Sequence, residues 1–400
     1  MMTKILIYVL CFILFYSPPL VRINSVVLGG AISYLYILVN FKSINKIFSG
    51  KRLIIWISFF GILTYLFMMM LILRSPISNI SFLIYIVFFS FPIIATLLSL
   101  GIKNKYTLKD WLEIFLWTGL IQSVIAILAL IFPNFQQILI NRIVSLGYSE
   151  IWLELTNIRL FGFSDSLTFA TPVIQAVLSI ISLFMAFEYD KKYFYFVPFL
   201  MLSSIINART AFVVLIIGIL MLIISYSKDN KQIIRLVLIL IGGSIVIVGF
   251  NKVISSIFPD VYQWLSTGVE EIIGFFSGNV EEGYFSYLFD KNNYPLPNNI
   301  LFGEGTRALK GISISSDIGY INDLWLGGLI YLVIMYSLTL YNTIILYKNK
   351  YNNFYSFFAV FYLTTVIFIN FKGVAFGISG LNHLFLLILF FSMLNSTPND

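Results

Sequence analysis

The chain is poor in the residues from which many soluble enzymes build reactive centres. Its 400 residues include one cysteine, Cys11, and one histidine, His383. A lone cysteine excludes an internal disulfide and a site with several cysteine ligands, and a lone histidine excludes a histidine-rich metal site. Charged residues are also scarce, at 11% against about 25% in soluble domains. This composition excludes an ordinary soluble globular domain.

Apolar residues, by contrast, make up 59% of the chain. They fall into long runs that predict an all-α polytopic membrane protein with about twelve transmembrane helices, several of them shorter than the ~20 residues of a usual crossing. The predicted spans are residues 4–17, 24–41, 53–73, 80–100, 111–132, 167–187, 193–206, 210–226, 233–250, 318–341, 353–371 and 374–394.

Lysine clusters orient these spans. They occur in alternate connections, near residues 42–52, 103–109, 191–192, 228–235 and 348–350. Basic residues favour the cytoplasmic side, so both termini are predicted to be cytoplasmic. The net charge of +7 is then explained by cytoplasmic loops and is no argument for nucleic acid as a partner.

This topology places two long loops, residues 133–166 and 251–317, on the same outer side. Apolar residues recur at helical spacing in 254–276 and, over a shorter stretch, in 138–155. Such spacing predicts amphipathic helices at the membrane surface. We find no internal repeat and no separate soluble region, so residues 1–400 are predicted to form a single integral membrane domain.

Arginines break the expected charge pattern. The predicted topology puts them on the outer face, where a phosphate-bearing ligand would explain them because guanidinium binds phosphate oxygens in two places. The seventh span has about 14 residues, or about 21 Å, against a hydrocarbon core of about 30 Å. Its outer turn is therefore expected below the membrane surface. The arginines are Arg142, Arg159, Arg209 and Arg307.

Four short strings carry a resemblance to a known family. RLFGFSDSLTF begins at Arg159, ARTA surrounds Arg209, and LFGEGTR, ending at Arg307, leads to SSDIGY around Asp317. With the many spans and two large outer loops, these strings resemble the bacterial O-antigen polymerases of the Wzy type. They are similar, more distantly, to the O-antigen ligases.

The resemblance implies a GT-C-like, metal-independent glycosyltransferase in the bacterial inner membrane, without a cofactor. Such an enzyme moves a growing glycan from undecaprenyl pyrophosphate onto the next lipid-linked repeat unit at the periplasmic face. Implied partners are that lipid-linked oligosaccharide, membrane lipid and a chain-length regulator protein. Metal-dependent relatives carry an acidic motif in the first outer loop, whereas residues 17–24 contain no acid.

The expected site combines cations for the leaving pyrophosphate with a carboxylate near the acceptor hydroxyl. Candidate carboxylates are Asp165, Glu304, Asp317 and Asp323. We assign catalytic roles to Arg209 and Asp317. Substrate binding is assigned to a further five residues, Arg142, Arg159, Asp165, Glu304 and Arg307.

Simpler roles stay open for these residues. Arg159 and Arg307 could pair with loop carboxylates, Arg142 could extend to lipid headgroups, and Asp317 could cap a helix. The glycines of LFGEGTR could admit a phosphate, while Gly327-Gly328 indicates close helix packing. A ligase and a flippase or transporter of lipid-linked oligosaccharides are the alternative functions.

Overall fold

The computed structural model describes residues 2–20, 23–45, 47–145, 162–164, 170–208, 210–227, 294–307, 316–349, 351–377 and 379–395, with isolated positions between 231 and 292. Almost all the regular structure in these ranges is helix. The exception is one antiparallel pair of two-residue strands, β1 (Pro19–Leu20) and β2 (Ile23–Asn24).

Helices succeed one another along the described parts of the chain. They are α1 (Met2–Tyr16), α2 (Ser25–Val39), α3 (Phe41–Asn45), α4 (Lys51–Leu73), α5 (Ile77–Lys103), α6 (Leu108–Ile131), α7 (Pro133–Ser145), α8 (Ala170–Glu188), α9 (Val197–Asn207, after a 3-10 turn at Lys191–Phe196), α10 (Thr210–Ser225), α11 (Gly319–Tyr347), α12 (Asn353–Ile369) and α13 (Ser379–Asn395). Each predicted span except 233–250, which lies almost entirely outside the described residues, coincides with one of these helices.

Five of the described helices, α4, α5, α6, α8 and α11, are long and apolar enough to cross a membrane, and five further apolar helices have 10–17 residues. Large apolar side chains stay exposed along them; Leu38 is 75% exposed and Ile72 is 71% exposed. Such exposure is typical of lipid-facing helices and rare on soluble proteins. The protein is therefore a helical membrane protein, whereas the full number of twelve crossings stays a prediction.

Helix α5 shows how local sequence shapes a span. Pro92 lacks the N–H that would bond the Phe88 carbonyl, and the helix widens into a π-turn at Ile86–Ser90 just before it. The Tyr34 hydroxyl donates to the Phe88 oxygen at 2.7 Å. A neighbouring helix therefore supplies the hydrogen bond that the proline removes.

The chain divides into two compact units, the first comprising residues 1–118 and 290–400 and the second residues 119–289. In the first unit, one end carries most of the lysines, and we call it the lysine end. Lys103 donates to the Asn40 side chain at 3.1 Å. Arg52 donates to the Met393 carbonyl at 3.0 Å. These hydrogen bonds join helix ends that the charge pattern predicts to lie on the same side of the membrane.

At the other end of the first unit, which we call the loop end, residues 74–79, 299–307, 316–320 and 370–377 meet. Asn79 donates to the Gly305 carbonyl at 2.9 Å, and the Gly319 N–H donates to the Asn370 carbonyl at 2.8 Å. The alternation of ends agrees with the predicted topology. Which end faces the cytoplasm stays a prediction.

The second unit has a polar interior. The hydroxyls of Ser123 and Ser203 lie 2.8 Å apart, and the Gln175 amide donates to the Gly119 carbonyl at 3.2 Å. The Asn207 amide, at the end of α9, donates to the Ser203 carbonyl at 2.6 Å. These bonds tie α6, α8 and α9 together and satisfy polar groups that are costly to leave unpaired in an apolar setting.

The predicted amphipathic helices of the two long loops are confirmed in part. The first loop begins with α7, although the rest of 138–155 is largely outside the described residues. In the second loop, Tyr262, Gln263, Ser266, Thr267 and Glu270 are helical, and Gln263, Thr267 and Glu270 form an exposed side at intervals of four and three residues. This spacing is that of one helix face.

Both loops touch the same cluster in the second unit. Its buried members are Ala129 and Ile206, and the partly buried side chains packed on it include Phe135 and Leu139 of α7 and Tyr262 of the second loop. The two long loops therefore share one end of this unit, as the predicted topology requires. Whether the second-loop helix lies along a membrane surface stays a prediction.

Candidate functional site

The loop that leads to Arg307 is seated on a break in α11. Gly328 interrupts the helix with φ 69° and ψ −171°. The break frees N–H groups from the helical pattern, and the loop takes them up. The Leu329 N–H donates to the Ile300 carbonyl at 2.8 Å, and the Ile330 N–H donates to the Leu301 carbonyl at 3.3 Å. The break is thus a docking point for the loop.

The interpretation of Gly327-Gly328 as close helix packing is therefore wrong for Gly328. It is right for Gly327, where an added Cβ would lie 2.6 Å from the Leu66 side chain of α4. The Tyr65 hydroxyl also donates to the Gly327 carbonyl at 2.9 Å. Adjacent glycines here serve different purposes, one packing against α4 and the other turning the backbone.

Gly303 is also used for packing. It has φ +74°, and an added Cβ would lie 2.8 Å from each of the carbonyl oxygens of Leu324 and Trp325. Carbonyl oxygens repel a phosphate, so this surface is not a phosphate cradle. The expected phosphate role of the loop glycines is wrong for Gly303, whose lack of a side chain lets the loop approach α11 closely.

Side chains from the α4–α5 connection and from the first turn of α5 hold the loop from its other side. Asn79, which is buried, donates to the Gly305 carbonyl, and Ser75 Oγ donates to the Glu304 carbonyl at 3.2 Å. The Glu304 carboxylate accepts from the Asn299 N–H at 3.2 Å. Glu304, predicted to bind substrate, thus helps to close its own loop.

Arg307 follows directly after this fixed segment. Its guanidinium carbon lies 4.6 Å from the centre of the Phe82 ring, a cation–π contact that covers one face of the charge. Nε and Nη2 are buried and have no hydrogen-bond partner, although the residue as a whole is half-buried. Buried donors are normally paired, so Arg307 is suited to receive a polar ligand.

Asp323 lies one helical turn inside α11. It is 0% exposed, and neither carboxylate oxygen has a hydrogen-bond partner. The charges of Arg307 and Asp323 are near enough to interact. Both charges also interact with the Tyr331 hydroxyl. That hydroxyl is buried and likewise lacks a hydrogen-bond partner. The sequence identifies Asp323 only as one of four candidate carboxylates, and in the structure its charge interacts with that of Arg307.

Polar residues missed by sequence reasoning complete this region. The Asn370 carbonyl accepts from the Gly319 N–H at 2.8 Å, and its side chain bonds the Tyr336 hydroxyl and the Ala375 N–H. The rings of Tyr320 and Tyr336 stack with centres 5.7 Å apart. Only the repeated asparagines near span ends hint at this network in the sequence.

The Phe82 ring also lines a small cavity. Phe59, Phe82, Asn342, Phe376 and Phe385 are among its lining residues, and its volume is about 20 Å³. That volume is room for about one water molecule and not for a sugar ring. This cavity is therefore too small to admit a large substrate to Arg307.

The remaining predicted site residues are not brought together by the described structure. Asp317 is exposed and directly precedes Ile318, the N-cap position of α11. Arg142 is exposed on α7, one turn after Ile138, which is 60% exposed. Arg159, Asp165 and Arg209 lie outside the described residues.

The surroundings of those three residues are partly described. Beside the Arg159 and Asp165 positions, Gly162 has φ +62°, and the Phe163 N–H donates to the Gln122 side chain at 3.2 Å. This part of the RLFGFSD string is therefore seated on α6. Next to Arg209, α9 ends at Asn207 and α10 begins at Thr210, which confirms the predicted short hairpin.

Comparisons with known proteins give no match for this chain. The chain matches no protein-family model, no curated protein and no solved structure. Within the described ranges, no three His, Cys, Asp or Glu side chains are grouped so that they could hold a metal ion. The function therefore has to be argued from the site.

Proposed function

We propose that this chain is a surface-polysaccharide polymerase of the O-antigen type in the bacterial inner membrane. It transfers the growing glycan from undecaprenyl pyrophosphate onto the next lipid-linked repeat unit. The observation that carries the proposal is Arg307, which offers two buried, unpartnered N–H groups at the loop end of its unit. Its charge interacts with that of buried Asp323. Structural roles alone leave these charges unexplained.

In the proposed topology, the lysine end faces the cytoplasm, and both termini lie there. The loop end faces the periplasm, where undecaprenyl-linked units are joined. The chain forms a single integral membrane domain with a GT-C-like arrangement of about twelve spans. Membrane lipid and a chain-length regulator protein are its further partners.

In the proposed reaction, an acceptor hydroxyl attacks the anomeric carbon of the donor glycan. The bond from that carbon to the pyrophosphate oxygen breaks, and undecaprenyl pyrophosphate leaves with the electron pair. The proton of the acceptor hydroxyl passes to a carboxylate, a role proposed for Asp317. Arg209 and Arg159 are proposed to bind the leaving pyrophosphate, and a preorganised donor of this kind is typically worth about 2.7–4 kcal/mol of barrier. Neither a divalent metal nor a cofactor is required.

The ligase alternative is less well supported. The resemblance implies a functional histidine in the large outer loop of the ligases. The single histidine here, His383, is 1% exposed within α13, and its Nδ1 lies 2.7 Å from the Leu14 carbonyl. It is held between two helices and is remote in sequence from residues 251–317.

One observation favours the transporter alternative. Interrupted helices are common at transporter binding sites, and α11 is interrupted at Gly328. In transporters, however, the freed backbone groups face the substrate, whereas here the loop carbonyls of Ile300 and Leu301 accept the N–H groups after the break. The polymerase proposal is therefore preferred.

Deletion of the gene and complementation with the native chain test the proposal. We expect the deletion strain to carry lipopolysaccharide with the core and one repeat unit, and the ladder of longer glycans to return on complementation. Loss of all glycan from the core would indicate a ligase instead. Retention of the repeat unit on the cytoplasmic side would indicate a flippase.

A further inference from the structure

The pairing of a buried cation with a buried anion limits the ligand that can satisfy both. The Nε and Nη2 groups of Arg307 are donors, and the two carboxylate oxygens of Asp323 are acceptors. All four are buried without hydrogen-bond partners, so the two side chains are not hydrogen-bonded to each other even though their charges interact.

A phosphate is poorly matched to this pair. Phosphate oxygens accept hydrogen bonds and would serve Arg307, but their negative charge would face the carboxylate of Asp323. Like charges within a few ångströms in a protein interior are strongly unfavourable. A metal cation or an ammonium group has the opposite problem, because it would suit Asp323 and face Arg307.

A neutral group with hydroxyls suits both residues. A hydroxyl accepts through its oxygen and donates through its hydrogen, so one ligand can accept from Arg307 and donate to Asp323. The unpartnered hydroxyl of Tyr331 is one more group able to donate or accept.

We infer that Arg307 and Asp323 form a carbohydrate-hydroxyl site, which binds the acceptor glycan and not the pyrophosphate. The inference rests on the proposed function and refines it, because it separates an acceptor-binding Arg307 from the pyrophosphate-binding arginines. Asp323 is the residue that sets this preference. The sequence alone offers it only as one of several candidate carboxylates.

Binding by the purified full chain in detergent tests the inference separately from polymerisation. The two probes are the single-repeat oligosaccharide, released from lipid-linked units by mild acid, and inorganic pyrophosphate. Asp323→Asn keeps the shape of the side chain and removes its charge. The matched control is Glu270→Gln, which changes an exposed carboxylate on the helical stretch of the second loop.

We expect Asp323→Asn to weaken oligosaccharide binding by about tenfold or more, because a hydrogen bond to a charged group is lost. Pyrophosphate binding should be unchanged or tighter, and Glu270→Gln should bind both probes as the native chain does. Native oligosaccharide affinity in Asp323→Asn, no saturable oligosaccharide binding by the native chain, or weakened pyrophosphate binding in Asp323→Asn would overturn the inference.

A second variant covers the case in which Asp323→Asn does not fold. Tyr331→Phe removes one buried hydroxyl and leaves both charges in place, and it should weaken oligosaccharide binding by roughly three- to tenfold. Unchanged binding in a folded Tyr331→Phe protein would overturn the inference in that case. The deletion strain's glycan profile reports separately on the polymerase proposal, because the binding assay requires no transfer reaction.

Discussion

Substitution of Gly328 by alanine should release the loop that positions Arg307. The backbone at Gly328, with φ 69° and ψ −171°, lies in a region that is essentially restricted to glycine, at a cost of about 1–3 kcal/mol for another residue. An added Cβ would also collide with the backbone of Leu301 and Phe302. The loop must therefore move away from α11.

Movement of the loop adds a second cost. The hydrogen bonds from Leu329 and Ile330 to the loop carbonyls would be lost, at about 0.5–1.5 kcal/mol each. With the backbone strain, the total loss of stability is roughly 2–6 kcal/mol. Membrane helices can remain inserted after such a loss, so activity should fall further than the amount of protein in the membrane.

The assay compares Gly328→Ala with Gly61→Ala. Gly61 is an exposed position of α4 where an added Cβ meets nothing within 4 Å, and alanine there should stabilise the helix by roughly 0.5–1 kcal/mol. Thermal unfolding in detergent should show a clear decrease for Gly328→Ala and none for Gly61→Ala. Native unfolding temperature and ladder length in Gly328→Ala would refute the role given to the break.

Three further predictions concern the site. Asn79→Ala leaves the Gly305 carbonyl without the 2.9 Å bond that holds it, so it should cost about 1–3 kcal/mol, measured by thermal unfolding, and shorten the ladder. Arg209→Lys keeps the charge but loses two-point phosphate binding; ladder length in the deletion strain should fall strongly, and at least as far for Arg209→Ala, at native membrane abundance. Polymerisation by purified protein should survive EDTA, and a loss restored by Mg²⁺ would contradict metal independence.

The helices were predictable because each depends on a local run of apolar residues. Span 210–226 is observed as Thr210–Ser225 and span 318–341 as Gly319–Tyr347, since apolar length and flanking polar residues define where a helix ends. The lysine pattern was equally informative. It correctly predicted which helix ends lie together in the first unit.

The site was less predictable because its contacts join distant parts of the chain. Arg307 was selected from the sequence, but its contact with Phe82 joins residues far apart in the sequence. The break at Gly328 lies within an apolar run with no proline, so the local pattern predicts an uninterrupted helix. The Gly327-Gly328 pair permits a break, but the docking of residues 300–303 that occupies it is not encoded locally.

The measurement that tests the account most directly is polymerisation by the purified chain. The full-length protein, in detergent with lipid, is mixed with lipid-linked repeat units alone, without nucleotide sugars or lipid A core, and the products are separated by length. We predict glycans of two or more repeats on the lipid carrier, with release of undecaprenyl pyrophosphate and strong impairment in Arg307→Ala. Repeat units that stay single under these conditions, with folded protein, would contradict the account.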